Sequence, residues 1–143
     1  MPRPLLENAL DRRIAHALVP VTAVRAAWFF GSRARGSPGA ESDLDLAVAY
    51  DPGLDSWGRE QARRDVVVAL TDELGAMGER ADIADLERCF SAVAFDAIAR
   101  GRCVLSRSDA DRVRIEVRVG RRYEDDAPFR ELQRRAALEL LRT

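Results

Sequence analysis

Two short apolar runs, joined by a segment rich in Gly and Ser, constrain the fold of this chain most strongly. The first run, Val21–Phe30, is rich in Val, Trp and Phe and leads into Gly31, which is typical of a buried strand that meets a tight turn. The second run, Asp43–Val48, sets apolar residues between Asp, Asp and Ala before residues 51–53 (Asp-Pro-Gly) end it. A period of two predicts a strand with one apolar face and one face that carries acids. The chain should therefore build a sheet around these two strands.

The rest of the chain supplies helices and further short strands. Apolar spacing and short apolar runs predict helices over 5–18, 56–77 (stopped by Gly78) and 90–100, and strands over 81–86 and 103–105. Residues 113–119 alternate like a strand, but Asp109 can cap a helix and Pro128 can start another, so we interpret residues 108–142 as helical. These elements predict an α/β (α+β) fold, in which helices flank a small mixed β-sheet and a helical segment follows at the C-terminal end.

Composition excludes several kinds of chemistry. All 23 basic residues are arginine, so the chain has no lysine for a Schiff base, a P-loop or a general base. His16 is the only histidine, which argues against a His-rich metal site or a serine triad. Basic and acidic residues nearly cancel, 23 against 24, so direct binding of nucleic acid is not expected.

Length and segment patterns indicate the class of protein. A chain of 143 residues predicts a single domain, residues 1–143, with its motif-bearing core at about 22–86. The start, MPRPLLENALDRR, lacks the continuous apolar stretch of a signal peptide, and no run approaches the roughly 18 apolar residues that span a bilayer. Cys89 and Cys103 match no zinc pattern, and we interpret them as reduced thiols. We therefore expect a cytoplasmic protein that does not enter a membrane.

Gly31-Ser32, followed after ten residues by Asp43-Leu44-Asp45, is the motif that carries chemistry. Side chains at i and i+2 leave the same face of a strand, so Asp43 and Asp45 repel each other unless a cation neutralises them. Carboxylate ligands without His or Cys nearby favour Mg²⁺, or else Mn²⁺. A glycine lets backbone N–H groups approach an anion closely, and Ser32 adds a hydroxyl donor. A phosphate cradle beside an acid pair is the arrangement of metal-assisted phosphoryl or nucleotidyl transfer.

Transfer that uses two metal ions, about 3.5–4 Å apart, usually needs a third carboxylate. Asp82, in the next predicted strand, would lie beside the acid pair if the two strands are neighbours. Asp85 is the alternative, although its position three residues further along would turn it to the other side of the strand. Each motif alone also fits a purely structural role, a solvated strand edge or an ordinary Gly/Ser loop. Their combination favours a functional site.

The segment WFFGSRARGSPGAESDLDLAV resembles the signature of the minimal nucleotidyltransferases, the MNT family of the DNA polymerase β superfamily. The size of the chain and the stretch GSRARG are most similar to the MntA-type antitoxins, which are partners of HEPN-domain HepT toxins. The resemblance covers roughly residues 22–86 and implies a polymerase β-type nucleotidyltransferase fold.

The resemblance also implies a role for each candidate residue. Gly31 and Ser32 would hold the β- and γ-phosphates of a nucleoside triphosphate, for which we take ATP as the expected substrate although no residue resolves the choice of base. Asp43 and Asp45 would ligate two Mg²⁺ ions. Asp82 would ligate the catalytic ion and help to deprotonate an incoming hydroxyl group. Two arginines would neutralise phosphate charge, unless they are solvated loop residues: Arg33 and Arg35.

The implied function is Mg²⁺-dependent transfer of AMP from ATP to a tyrosine hydroxyl of a HEPN-type toxin, which would make the protein its antitoxin. Two alternatives stay open: an antitoxin that inhibits by binding alone, and a nucleotidyltransferase for an aminoglycoside-like small molecule. A chain of 143 residues leaves no room for a separate substrate domain, so recognition would need a partner or a second copy, in a homodimer or a hetero-oligomer. The amphipathic segment 129–141 is either a docking surface or a helix packed on its own domain.

Overall fold

The computed structural model of the protein describes residues 9–34 and 44–142. In chain order these residues form α1 (Ala9–Leu18), β1 (Val24–Phe30), α2 (Gly31–Ala34), β2 (Asp45–Tyr50), α3 (Ser56–Leu74), α4 (Ala76–Glu79), β3 (Asp82–Asp85), α5 (Ser91–Arg100), β4 (Arg102–Ser106), α6 (Asp109–Asp125) and α7 (Ala127–Leu141). Each helix and strand expected from the sequence is present. The part of the first expected helix that precedes residue 9 lies outside the described residues.

The described strands form one mixed sheet in the order β3-β2-β1-β4. Strand β1 runs antiparallel to both of its neighbours, whereas β2 and β3 are parallel. A parallel pair needs a long crossover connection, which α3 supplies with its 19 residues. Helix α3 begins where the Asp55 side chain accepts a hydrogen bond from the Gly58 N–H, at 2.7 Å. This topology confirms the predicted mixed sheet flanked by helices.

Strand β2 is buried on both faces beyond its first residue. One face packs against α1 and α3, in a core that includes Leu18, Leu46 and Leu70. The opposite face carries Ala47 and Ala49, which pack in a second core with residues of α5 and α6. The sequence predicted an acid-bearing second face. Among the described residues of β2, the acid on this face is Asp45, at the start of the strand. The positions that follow on the same face are Ala47 and Ala49, which helices cover.

The long crossover helix ends earlier than the sequence predicted. Gly75 adopts a positive φ of 64°, which ends α3 at Leu74, and its N–H donates to the carbonyl of Thr71 at 2.8 Å. A separate turn, α4, follows at once. Gly78, the expected stop signal, lies inside this turn and is buried. The prediction was wrong at this boundary because either glycine could end a helix and only the backbone conformation distinguishes them.

The strand-like residues 113–119 are helical, as predicted. They lie in α6, where the Ser108 side chain caps the helix by accepting a hydrogen bond from the Asp111 N–H at 3.0 Å. The capping residue is therefore Ser108 and not Asp109. Val119 is the buried residue of α6.

Cys89 and Cys103 are free thiols, as expected. Burial raises the pKa of the Cys89 thiol, which disfavours its reactive thiolate. Within residues 9–34 and 44–142, no helix is both long and apolar enough to cross a membrane.

Candidate active site

The candidate acids meet where β2 lies between the end of β1 and the start of β3. Asp45 is in register with Phe30 on one side and with Asp82 on the other. The Asp82 N–H donates to the carbonyl of Leu44 at 2.8 Å, which holds this register. Residues in register on adjacent strands point to the same face, and such strands lie about 4.8 Å apart. The structure therefore brings Asp45 and Asp82 together, and it leaves Asp82 exposed.

Gly31 lets the turn α2 lie directly against the Asp45 carboxylate. Its φ of +84° belongs to a region that other residues rarely adopt. A Cβ at this position would lie only 2.3 Å from Asp45 Oδ2. Both the backbone conformation and the lack of space therefore require glycine here. Ser32 and the half-buried Arg33 follow in the same turn.

Asp85, the alternative third acid, faces the other side of the sheet and belongs to an ion-pair network. It is in register with Val48, whose side chain packs toward α1 and α3. Arg59 of α3 donates to Asp85 at 2.8 Å and to Glu87 at 2.9 Å. Burial opposes the charge of Arg59, but the hydrogen bonds and charges of these two carboxylates outweigh it and raise the pKa of the guanidinium. Asp85 thus joins β3 to α3 and does not share a face with Asp45.

Two of the expected site residues, Asp43 and Arg35, lie outside the described residues. Among the residues that are described, no three His, Cys, Asp or Glu side chains are grouped closely enough to hold a metal ion. The described part of the site therefore contributes two carboxylates, from Asp45 and Asp82. Both are hard oxygen donors, which is the donor set that fits Mg²⁺ or Mn²⁺.

An ion pair between a buried carboxylate and a partly exposed arginine, next to the turn α2, was not predicted from the sequence. The Asp11 carboxylate is fully buried and accepts two hydrogen bonds from Arg102, at 2.8 and 2.9 Å. The same guanidinium donates to the carbonyl of Ala34, the last residue of α2. One signal was available: Asp11 lies three residues before Ile14, on the apolar stripe of α1, where an acid needs a partner. Nothing in the sequence identifies a partner 91 residues away.

Helix α7 exposes apolar side chains, and none of its described residues is buried. Phe129, Leu132 and Leu140 share one face by helical spacing and are 59%, 64% and 76% exposed. Near its start, the Arg130 guanidinium lies 3.5 Å from the centre of the Tyr123 ring in α6. The apolar face of segment 129–141 is therefore largely exposed, while Arg130 joins the start of α7 to α6; the exposure favours a docking surface over a helix packed on its own domain.

Residues 12–110 match the family model described as polymerase beta, nucleotidyltransferase. This segment contains the Gly-Ser turn, the acid pair and Asp82. No curated protein matches the sequence.

Several solved toxin–antitoxin structures contain a chain of similar fold. A crystal structure of a toxin–antitoxin with AMP-PNP matches at 19% identity and a TM-score of 0.64, over 94% of this chain and 100% of that one. A mutant MntA–HpeT toxin–antitoxin matches at 18% identity and a TM-score of 0.67, over 93% and 98%. A tri-AMPylated HEPN toxin of Shewanella oneidensis in complex with MNT antitoxin matches at 16% identity and a TM-score of 0.56, over 93% and 99%. These similarities confirm the predicted polymerase β-type fold.

The contact between Gly31 and Asp45 predicts a loss of ligand binding in Gly31→Ala. The added Cβ forces the Asp45 carboxylate away, so we expect the Kd for AMP-PNP with Mg²⁺ to rise by at least roughly 10-fold. Isothermal titration calorimetry measures this constant.

Gly75→Ala is the matched control, because Gly75 also has a positive φ but a Cβ there would meet no atom within 4 Å. Its φ of 64° and ψ of −134° belong to a sparsely populated backbone region, so we expect the variant to lower the free energy of unfolding by about 1–3 kcal/mol and to leave the Kd unchanged. If the two variants have equal Kd values, the contact between position 31 and Asp45 is not the cause of the weaker binding.

Proposed function

The chain belongs to the polymerase beta nucleotidyltransferase family, and from this premise we propose that it transfers AMP from ATP to a tyrosine hydroxyl of a HEPN-type toxin. It would act in the cytoplasm as the antitoxin of that toxin. The observation that carries the proposal is the register of Asp45 with Asp82 beside Gly31, because it sets two carboxylates next to a turn suited to phosphate. Two structures of similar fold support the nucleotide and the acceptor, since one holds AMP-PNP and another an AMPylated HEPN toxin.

Asp45 and Asp82, together with Asp43, would hold Mg²⁺ or Mn²⁺. When bound, such ions neutralise the charge of a triphosphate and make an adjacent hydroxyl more acidic. The position of Gly31 in the turn supports a role for Gly31 and Ser32 in holding the β- and γ-phosphates through backbone N–H groups. Two arginines would add positive charge beside the phosphates: Arg33, within this turn, and Arg35, which follows it in the sequence.

The exposure of Asp82 on the edge strand β3 suits an acceptor that approaches from outside the domain. In the proposed reaction, the acceptor oxygen forms a bond to the α-phosphorus while the bond from that phosphorus to the bridging oxygen breaks. Pyrophosphate leaves with the electron pair. Asp82 would accept the proton of the tyrosine hydroxyl or orient that group for attack.

The apolar face of α7, formed by Phe129, Leu132 and Leu140, supports a macromolecular acceptor over a small one. Exposed apolar faces on helices mark interaction sites, and an isolated amphipathic helix gains most of its stability from such packing. We propose that the HEPN toxin covers this face, because three solved complexes of similar fold pair a toxin with its antitoxin. A toxin bound at this face would also be inhibited without AMP transfer if binding blocks its activity. Inhibition by binding alone is therefore the second candidate function.

Asp45→Asn and Asp82→Asn test the catalytic proposal. Each removes a carboxylate charge from the shared face, so we expect AMP transfer to fall by about 100-fold or more. The measurement is intact mass spectrometry of the toxin after incubation with this protein, ATP and Mg²⁺, in which each transfer adds one AMP unit.

Asp85→Asn is the control on the same strand. It weakens the pairing with Arg59 and should lower the melting temperature, but it should leave AMP transfer intact. If Asp85→Asn abolishes transfer while Asp82→Asn retains it, our assignment of the third acid is wrong. A toxin that Asp45→Asn and Asp82→Asn neutralise as well as the parent does, without gaining mass, would establish inhibition by binding.

Leu132→Arg and Leu140→Arg test the docking face. Because both side chains are exposed, the melting temperature should stay within about 2 °C of the parent, whereas toxin binding should weaken by at least roughly 10-fold. Leu138→Arg, on the opposite side of the same helix, should bind the toxin normally. Unchanged toxin binding in the first two variants would exclude this face. A smaller oligomer of the protein alone would show that a second copy covers it.

A further inference from the structure

We propose that Asp11 and Arg102 are positioning residues that hold the turn α2 from behind and thereby set the affinity for the nucleotide. The proposal rests on the proposed function, in which α2 holds the phosphates. Neither residue touches the nucleotide in this account. They act through the backbone of the turn.

The turn α2 depends on outside contacts because it is a single helical turn, Gly31–Ala34. One turn of helix is not stable alone, since its nucleation costs more than its few hydrogen bonds return. At its first residue, Gly31 lies against the Asp45 carboxylate. At its last residue, the Ala34 side chain is buried in the larger core and the Ala34 carbonyl accepts a hydrogen bond from Arg102. The turn is therefore fixed at both ends.

Arg102 can hold this carbonyl only while its own guanidinium is fixed. Nε and Nη2 donate to the two oxygens of Asp11, at 2.8 and 2.9 Å, which leaves Nη1 for Ala34. The guanidinium carbon also lies 5.3 Å from the centre of the Phe29 ring. Asp11 is fully buried, and the bidentate pairing adds geometric specificity to the charge attraction. The position of α2 is thus coupled to α1 and β4 through one side-chain pair.

The competing explanation is that the pair only stabilises the contact between α1 and β4. Arg107, just after β4, offers a matched comparison. It donates to the carbonyls of Val24, Val21 and Leu18 at 2.9, 3.0 and 3.3 Å, near the start of β1 and away from α2. Both arginines thus hold backbone carbonyls, but only Arg102 holds the phosphate-binding turn.

The experiment compares Arg102→Lys with Arg107→Lys in the full chain. Lysine keeps the positive charge but lacks the planar fork that reaches Asp11 and Ala34 together. We expect both variants to lose thermal stability. Arg102→Lys should also raise the Kd for AMP-PNP with Mg²⁺ by roughly 10-fold, measured by calorimetry well below the melting temperature. Amide hydrogen exchange at residues 31–34 should accelerate in Arg102→Lys and not in Arg107→Lys.

Equal Kd values for Arg102→Lys and the parent, or an equal rise in both lysine variants, would overturn the proposal. Should Arg102→Lys fail to fold, Asp11→Glu carries the same expectation, because it keeps the carboxylate and displaces the guanidinium. If the parent itself does not bind AMP-PNP with Mg²⁺, the proposed function fails. If the parent binds and Arg102→Lys and Asp11→Glu bind equally well, the positioning role alone fails.

Discussion

The approach of the Asp45 carboxylate to Gly31 is the contact on which the geometry of this site depends. Any larger residue at position 31 would place a Cβ 2.3 Å from Asp45 Oδ2, so the carboxylate or the turn would have to shift. Asp45 is also in register with Phe30 and Asp82, and it therefore joins three segments of the chain at one point. Backbone pairing places Asp45 beside Phe30 and Asp82, so this arrangement does not depend on the rotamers of flexible side chains. Such preorganisation is what a site for charged phosphates requires.

The two faces of the sheet separate the candidate site acids from an acid that pairs with an arginine. Asp82 shares a face with Asp45 and is exposed at the edge strand, whereas Asp85 turns to the other face and pairs with Arg59. The crossover through α3 makes β3 parallel to β2, which puts the starts of both strands at the same end of the sheet. The same helix carries Arg59, so one connection leads into β3 and also supplies the ion-pair partner of Asp85 on the face opposite Asp45.

The sequence was most informative where a local rule decides the outcome. The apolar run that ends at Gly31 predicted β1, and the alternation around Asp45 predicted β2. Helical spacing predicted α3 and α5, whereas α6 was predicted from a cap near residue 109 against a strand-like alternation. The sequence did not predict features that depend on contacts between residues far apart in the chain. The pairing of Asp11 with Arg102 joins residues 91 positions apart, and no local pattern specifies such a partner. The end of α3 depended on which of two glycines adopts a positive φ, which propensity alone does not determine. The exposure of α7 could not be read from its amphipathic pattern, because that pattern fits a packed and an unpacked helix equally well.

We propose that Asp45 and Asp82 form one metal site beside Gly31. Crystals of the protein grown with Mn²⁺ and AMP-PNP, measured at a wavelength where manganese scatters anomalously, locate the metal relative to both residues. We expect an anomalous peak at coordination distance from carboxylate oxygens of both Asp45 and Asp82, with the phosphates of AMP-PNP against the turn that begins at Gly31. A peak held by Asp85 and Glu87, or a bound AMP-PNP with no manganese at Asp45, would contradict it.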